Sequence, residues 1–286
     1  MTLFQDLILA AIKGILVFLP LPTPPHHLIL TRVFGWDTAD PLISASILLG
    51  CILVLLVYFK DDWASAIASG LRVVLTWHKP QSLDERMPFL ILMTTLPTVL
   101  LSHFLPSIGN AFEGTLVHEF GTFGILGTLG SLILLLGIGL SWITGRSKSN
   151  RSLPNWSFLD AGLLGMLLPL SLVPGIDRGA WILLLCFFRN FHREASAKIY
   201  FFSLMVLLIS DLFAISQAEH FSLIQQFKES SWDKPFLSFL LAFFMAWMVL
   251  GAFFKSLNSG TLFRGFLAYR IALIGLLIAT GVFYGL

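Results

Sequence analysis

The residues of this chain best suited to chemistry sit beside two breaks in its apolar stretches. Lys13, Thr23, His26 and His27 flank or follow Leu19-Pro20-Leu21-Pro22, and Gly175, Asp177 and Arg178 follow Leu172-Val173-Pro174. An ionisable group is expensive in hydrocarbon, so one placed at an interruption is a candidate for function. Arg178 carries a fixed fork of donors and has no realistic neutral form, which suits a phosphate or a carboxylate. A half-helix starting after Pro174-Gly175 adds unpaired amide hydrogens, with Asp177 placed to cap it or to partner Arg178. If the two interruptions meet, Arg178, those amides, Thr23 and the His26 imidazole converge on one anionic group. Lys13 then either contacts the anion or snorkels to the interface, while His27, one residue on, points elsewhere on a helix. The chemistry this describes is anion binding in a membrane cavity.

The elements that must hold these residues follow from composition. Of 286 residues, 56% are hydrophobic and 12% charged, which excludes a soluble enzyme. Apolar segments fall near 3 to 19, 42 to 59, 88 to 108, 121 to 144, 157 to 173, 197 to 217, 235 to 254 and 264 to 285. The first and fifth end in proline-rich breaks, each followed by a short apolar piece, His27 to Val33 and Ala180 to Phe188. Proline cannot supply the amide hydrogen that continues a helix, and broken backbone at membrane depth needs protein or a water-filled cavity around it. The pattern predicts an all-α integral membrane bundle with two re-entrant helix hairpins and about six full crossings. Each hairpin precedes three uninterrupted segments, which gives a single membrane domain over 1–286 built from an inverted repeat, 1–145 and 155–286.

The basic residues test that topology. With hairpins, twelve loop cations, among them Lys60, Arg72, Arg151, Arg189 and Arg193, fall on one side, against Arg32, Lys228 and Lys234 on the other. Eight full crossings would split the same loop residues nine to six. The positive-inside rule therefore favours hairpins, with both termini on the non-cytoplasmic side. A net charge of +2 is too small to suggest a nucleic-acid partner, and none is expected. Cys51 and Cys186 lie in apolar runs and read as small hydrophobes, with neither a disulfide nor a metal site expected. No basic leader or small-residue cleavage site precedes the first segment, which is therefore expected to stay. The 27 Phe and 8 Trp read as core, lipid-facing and interfacial residues, and the glycines of 121–130 as small faces for helix packing. His118 and Glu119 fall in an expected outer loop. No zinc-ligand spacing, serine-hydrolase elbow or phosphate loop occurs.

Over nearly its whole length the chain resembles the integral-membrane undecaprenyl-diphosphate phosphatases, the bacitracin-resistance proteins. Their first signature runs approximately E-G-x-T-E-F-L-P-V-S-S-T-G-H, against Lys13-Gly14-Ile15-Leu16-Val17-Phe18-Leu19-Pro20-Leu21-Pro22-Thr23-Pro24-Pro25-His26 here. Their second runs approximately P-G-x-S-R-S-G, against Pro174-Gly175-Ile176-Asp177-Arg178-Gly179-Ala180. Further agreement lies at Leu49-Gly50-Cys51-Ile52-Leu53, Leu96-Pro97, Arg193 with Ala195, and Tyr269-Arg270. The resemblance implies paired re-entrant hairpins and a polyprenyl diphosphate lipid as substrate. It implies a bacterial inner-membrane location in carrier-lipid recycling for the cell wall, with a homo-oligomer or envelope-synthesis proteins as partners. On the phosphatase reading, His26 acts as acid/base or nucleophile, with Asp177 orienting it and Arg178 neutralising phosphate, while Lys13, Thr23, Gly175 and Arg178 bind the substrate.

The departures are specific. Lys13 and Val17 replace both signature glutamates, Pro22 and Thr23 the serine pair, Pro24 and Pro25 the Thr-Gly, and Asp177 and Gly179 the serines flanking the arginine. Lys198 stands where an acid usually follows the second hairpin. The resemblance implies Mg2+ or Ca2+ as cofactor, yet these residues supply no ligand set for it. A non-catalytic protein that binds or translocates polyprenyl phosphate is the alternative, and an accessory subunit of an envelope complex a third reading.

Overall fold

The computed structural model describes residues 2–20, 36, 40–104, 150–172, 176–218, 232–257 and five positions between 265 and 272. Within them the chain is helical: α1 is Leu3–Leu16, α2 Pro41–Tyr58, α3 Lys60–Thr76, α4 Leu83–Phe104, α5 Phe158–Leu167, α6 Arg178–Phe188, α7 Arg193–Ala218 and α8 Asp233–Ser256. A 3-10 turn at Leu168–Leu172 extends α5, and the β-pairing among the described residues is a single bridge between Arg151 and Phe191. Three of these helices, α2, α7 and α8, are long and apolar enough to cross a membrane. The apolar segments near 3, 42, 88, 157, 197 and 235 all became helices. The segment at 121 to 144 and nearly all of 264 to 285 lie outside the described residues.

Hydropathy did not predict α3. Lys60, Asp61, Asp62, Ser65 and Arg72 dilute its average below that of a span, while Ala66, Gly70 and Val73 recur at helical spacing and are buried. That inner stripe packs on the first turns of α4, where Ser65 donates to Asp84 at 2.8 Å. The helix stops at Trp77, whose φ of 52° is left-handed.

Helix α8 packs against α1 and α2, and α7 sits centrally against α2, α4 and α6. Lipid tails are as apolar as leucine, so burial alone drives little association between membrane helices, and close packing must hold them. Interlocked rings do so here. Phe201 of α7 meets Phe253 of α8 edge-on at 5.2 Å, and Phe59, after α2, meets Phe202 in the same way at 5.3 Å. Such pairs contribute about 0.5–1.5 kcal/mol each beyond their buried area.

A polar cluster pins the base of α5 and α6. Asp160, in the first turn of α5, is fully buried, and Arg151 donates to both of its carboxylate oxygens. Arg189, just past α6, donates from Nε to Oδ1 at 2.7 Å, and the Ser157 hydroxyl donates to Oδ2 at 2.6 Å. The Arg151 guanidinium lies 4.4 Å from the centre of the Phe191 ring, and its backbone exchanges hydrogen bonds with Asn190 and His192. Residues 158 to 188 therefore begin and end at one point. Higher up, the Trp181 indole on α6 donates to the Leu167 carbonyl at 2.7 Å.

Candidate functional site

The second interruption resolves into a helix start. Asp177 is extended, with φ −74° and ψ 136°, and its Oδ2 accepts the amide hydrogen of Ala180 at 2.7 Å. This is the N-cap expected from the sequence, satisfying one of the four amides that a helix leaves unpaired at its start. Arg178 is the first residue of α6, but its direct ion-pair partner is not its neighbour. Nη1 donates to Oδ2 of Asp211 on α7 at 2.7 Å.

Gly179 comes next, and a Cβ there would lie 2.7 Å from the end of the Tyr200 ring, so only glycine lets α6 approach α7 this closely. The Tyr200 hydroxyl donates to the carbonyl of Val17 at 3.1 Å, and Phe18 stacks on Phe201 with centroids 6.0 Å apart. Val17 and Phe18 belong to the first interrupted motif and Gly179 to the second. Tyr200 therefore joins the described ends of the two, across 183 positions of sequence. Tyr200→Phe removes the donor from a helix-end carbonyl, and an expected loss of about 1 kcal/mol should appear as a lower thermal midpoint in detergent.

Lys13 lies one turn before Val17, and its Nζ donates to the Ser44 hydroxyl of α2 at 3.4 Å. Thr23, His26, His27 and Gly175 lie outside the described residues. Cys51 and Cys186 are free and buried. Sequence reasoning passed over Asp211 and Tyr200. Asp211 had a usable signal: it is the acid in the apolar run Leu204 to Ile215, and the cost argument that singled out Arg178 applies to it equally. Tyr200 had none, because its role depends on which face of α7 meets α6.

The family model of bacitracin resistance protein BacA matches residues 6–277. The chain belongs to this family. Relatives named undecaprenyl-diphosphatase include one from Chlorobaculum tepidum, 28% identical over 297 residues that cover 98% of both chains. One from a Jannaschia species is 23% identical over 274 residues, covering 96% of each, and one from a Nocardioides species 25% identical over 285 residues, covering 97% of each.

Against the bacitracin-resistance family signatures, the described half of the site holds one arginine and two carboxylates, both carboxylates already engaged. Asp177 caps α6 and Asp211 pairs with Arg178. A divalent cation needs several oxygen ligands, and no group of three or more His, Cys, Asp or Glu side chains able to hold one occurs among the described residues. The described donors thus do not fit Mg2+ or Ca2+. What they fit is an anion: the unengaged donors of Arg178 beside the start of α6.

Proposed function

We propose that this protein acts on a polyprenyl diphosphate of the undecaprenyl type, in recycling the carrier lipid of the cell envelope. The observation that carries this is the position of Arg178 at the start of α6, one residue from the Tyr200 contact that ties the two interrupted motifs together. A guanidinium there neutralises phosphate charge that water otherwise solvates. In the same reading His26 serves as acid/base or nucleophile, with Asp177 orienting it. Lys13, Thr23 and the Gly175 backbone contact the head group. Hydrolysis breaks the bond between the two phosphates by addition of water, leaving lipid monophosphate and inorganic phosphate.

The membrane placement belongs to this proposal. An α5 of ten residues with its 3-10 extension spans about 25 Å and an α6 of eleven about 16 Å, both short of roughly 30 Å of hydrocarbon. Together with the pinned base at Asp160, this supports a re-entrant hairpin, and with it six crossings, inverted repeats over 1–145 and 155–286, and periplasmic termini in a bacterial inner membrane. Replacement of both signature glutamates by Lys13 and Val17 supports a second reading, in which the lipid is bound or translocated without hydrolysis.

Phosphate release from undecaprenyl diphosphate by the purified protein, with and without Mg2+ or Ca2+, separates the two. Release that falls at least about a hundredfold in Arg178→Ala, and is lost in His26→Ala, establishes the phosphatase. Lipid binding without release, weakened by Arg178→Ala, establishes the second reading. Neither binding nor release would overturn both.

A further inference from the structure

Arg178 has a carboxylate of its own. Asp211 is 33 positions away, accepts from Nη1 at 2.7 Å, and sits about 27 Å along α7 from Arg193, deep in an apolar run where an unpaired acid would be costly. The environment distinguishes this pair from the other intramolecular arginine pairs. Asp160 is fully buried and shared between two arginines, whereas the Arg178 and Asp211 side chains remain 30% and 37% exposed. The contact is also single-pronged. Among the described residues, the remaining guanidinium hydrogens and the second carboxylate oxygen carry no hydrogen bond.

We propose that Asp211 is the resting counter-ion of the site, occupying Arg178 between ligands and displaced by the incoming phosphate. This rests on the reading above, in which Arg178 takes the head group. Two anions on one guanidinium repel each other, and a phosphate bound end-on through Nη1 and Nη2 takes the Nη1 that Asp211 holds. The carboxylate, 37% exposed at rest, then turns away from the guanidinium. Asp211 thus sets the affinity of the site: it keeps the arginine neutralised when the site is empty and eases release of a phosphorylated product by reclaiming it.

The test is the affinity of the full-length protein in detergent for undecaprenyl monophosphate. Asp211→Asn keeps the shape and removes the charge, and should bind roughly tenfold tighter, the scale of one like charge removed from about 5 Å at a dielectric between protein and water. Asp211→Glu should stay near wild type. Arg178→Ala should weaken binding, and in the Arg178→Ala/Asp211→Asn double variant the gain should vanish. A folded Asp211→Asn that binds no tighter, while Arg178→Ala binds more weakly, overturns the counter-ion role and leaves the site reading standing. Wild-type affinity in Arg178→Ala overturns both. A second measurement needs no variant. Carbodiimide coupling of glycine ethyl ester to Asp211 of the wild-type protein, read by peptide mass spectrometry, should rise when undecaprenyl monophosphate saturates the site. Protection instead of exposure would overturn the displacement.

Discussion

Replacing Asp160 with alanine should lower the stability of the protein by about 3–5 kcal/mol, the range for deleting one partner of a buried ion pair. The carboxylate is 0% exposed and accepts from Arg151, Arg189 and Ser157. Removing it leaves two guanidinium groups facing each other with nothing between them. The arginines are less exposed to loss. Their side chains are 28% and 39% exposed, so when either is truncated the other still neutralises Asp160, and each single replacement should cost only about 1–2 kcal/mol. Asp160→Asn should fall between, since it keeps one acceptor oxygen but turns an amide toward an arginine. Thermal unfolding of the variants in one detergent, followed by tryptophan fluorescence, checks the order. Asp160→Ala no worse than Arg189→Ala would show that this cluster does not close the α5–α6 pair.

Gly165→Ala should be the most damaging glycine replacement in the helices, with a loss of about 1–3 kcal/mol, and Gly165→Val should be worse. In α4, Pro97 has no N–H, so the carbonyl of Met93, four residues earlier, lacks its usual helical donor. Gly165 of α5 lies directly on that carbonyl: a Cβ at this position would overlap the Met93 oxygen and reach Pro97 Cγ at 3.4 Å. The contact brings the glycine Cα hydrogens against an oxygen freed by proline, a weak hydrogen bond that small residues permit between membrane helices. Because the obstacle is backbone, the helices must separate. Elsewhere alanine favours a helix by roughly 0.5–1 kcal/mol over glycine. Gly251→Ala, where a Cβ meets nothing within 4 Å, and Gly162→Ala, which meets only the flexible end of Met93 at 3.0 Å, are therefore expected to be neutral or stabilising. Equal midpoints for the three alanine variants would refute the backbone contact.

Local chemistry was legible in the sequence. The apolar runs gave helices at α2, α7 and α8 because hydropathy averaged over a span measures what the bilayer demands of it. Proline punctuation marked the end of α1, which turns at Val17 to Pro20, and the start of α6. The N-cap at Asp177 could be read because a capping side chain reaches only three residues along its own chain. The same averaging hid α3, whose charged face cancels its apolar one.

Only the tertiary structure decided the partners. A neighbouring acid, Asp177, stood ready for Arg178, yet the structure gives the arginine to Asp211, 33 positions on. Asp160 holds cations from before α5 and after α6, and Tyr200 reaches Val17 across most of the chain. Each residue along a helix turns the side-chain direction by about 100°, so a shift of one or two positions sends it to a different neighbour. Which faces meet is set by close packing at places such as Gly165 and Gly179, where the absence of a single carbon lets a neighbouring carbonyl or ring lie against the helix. That depends on the rotation and depth of every helix together, and no window of sequence contains it.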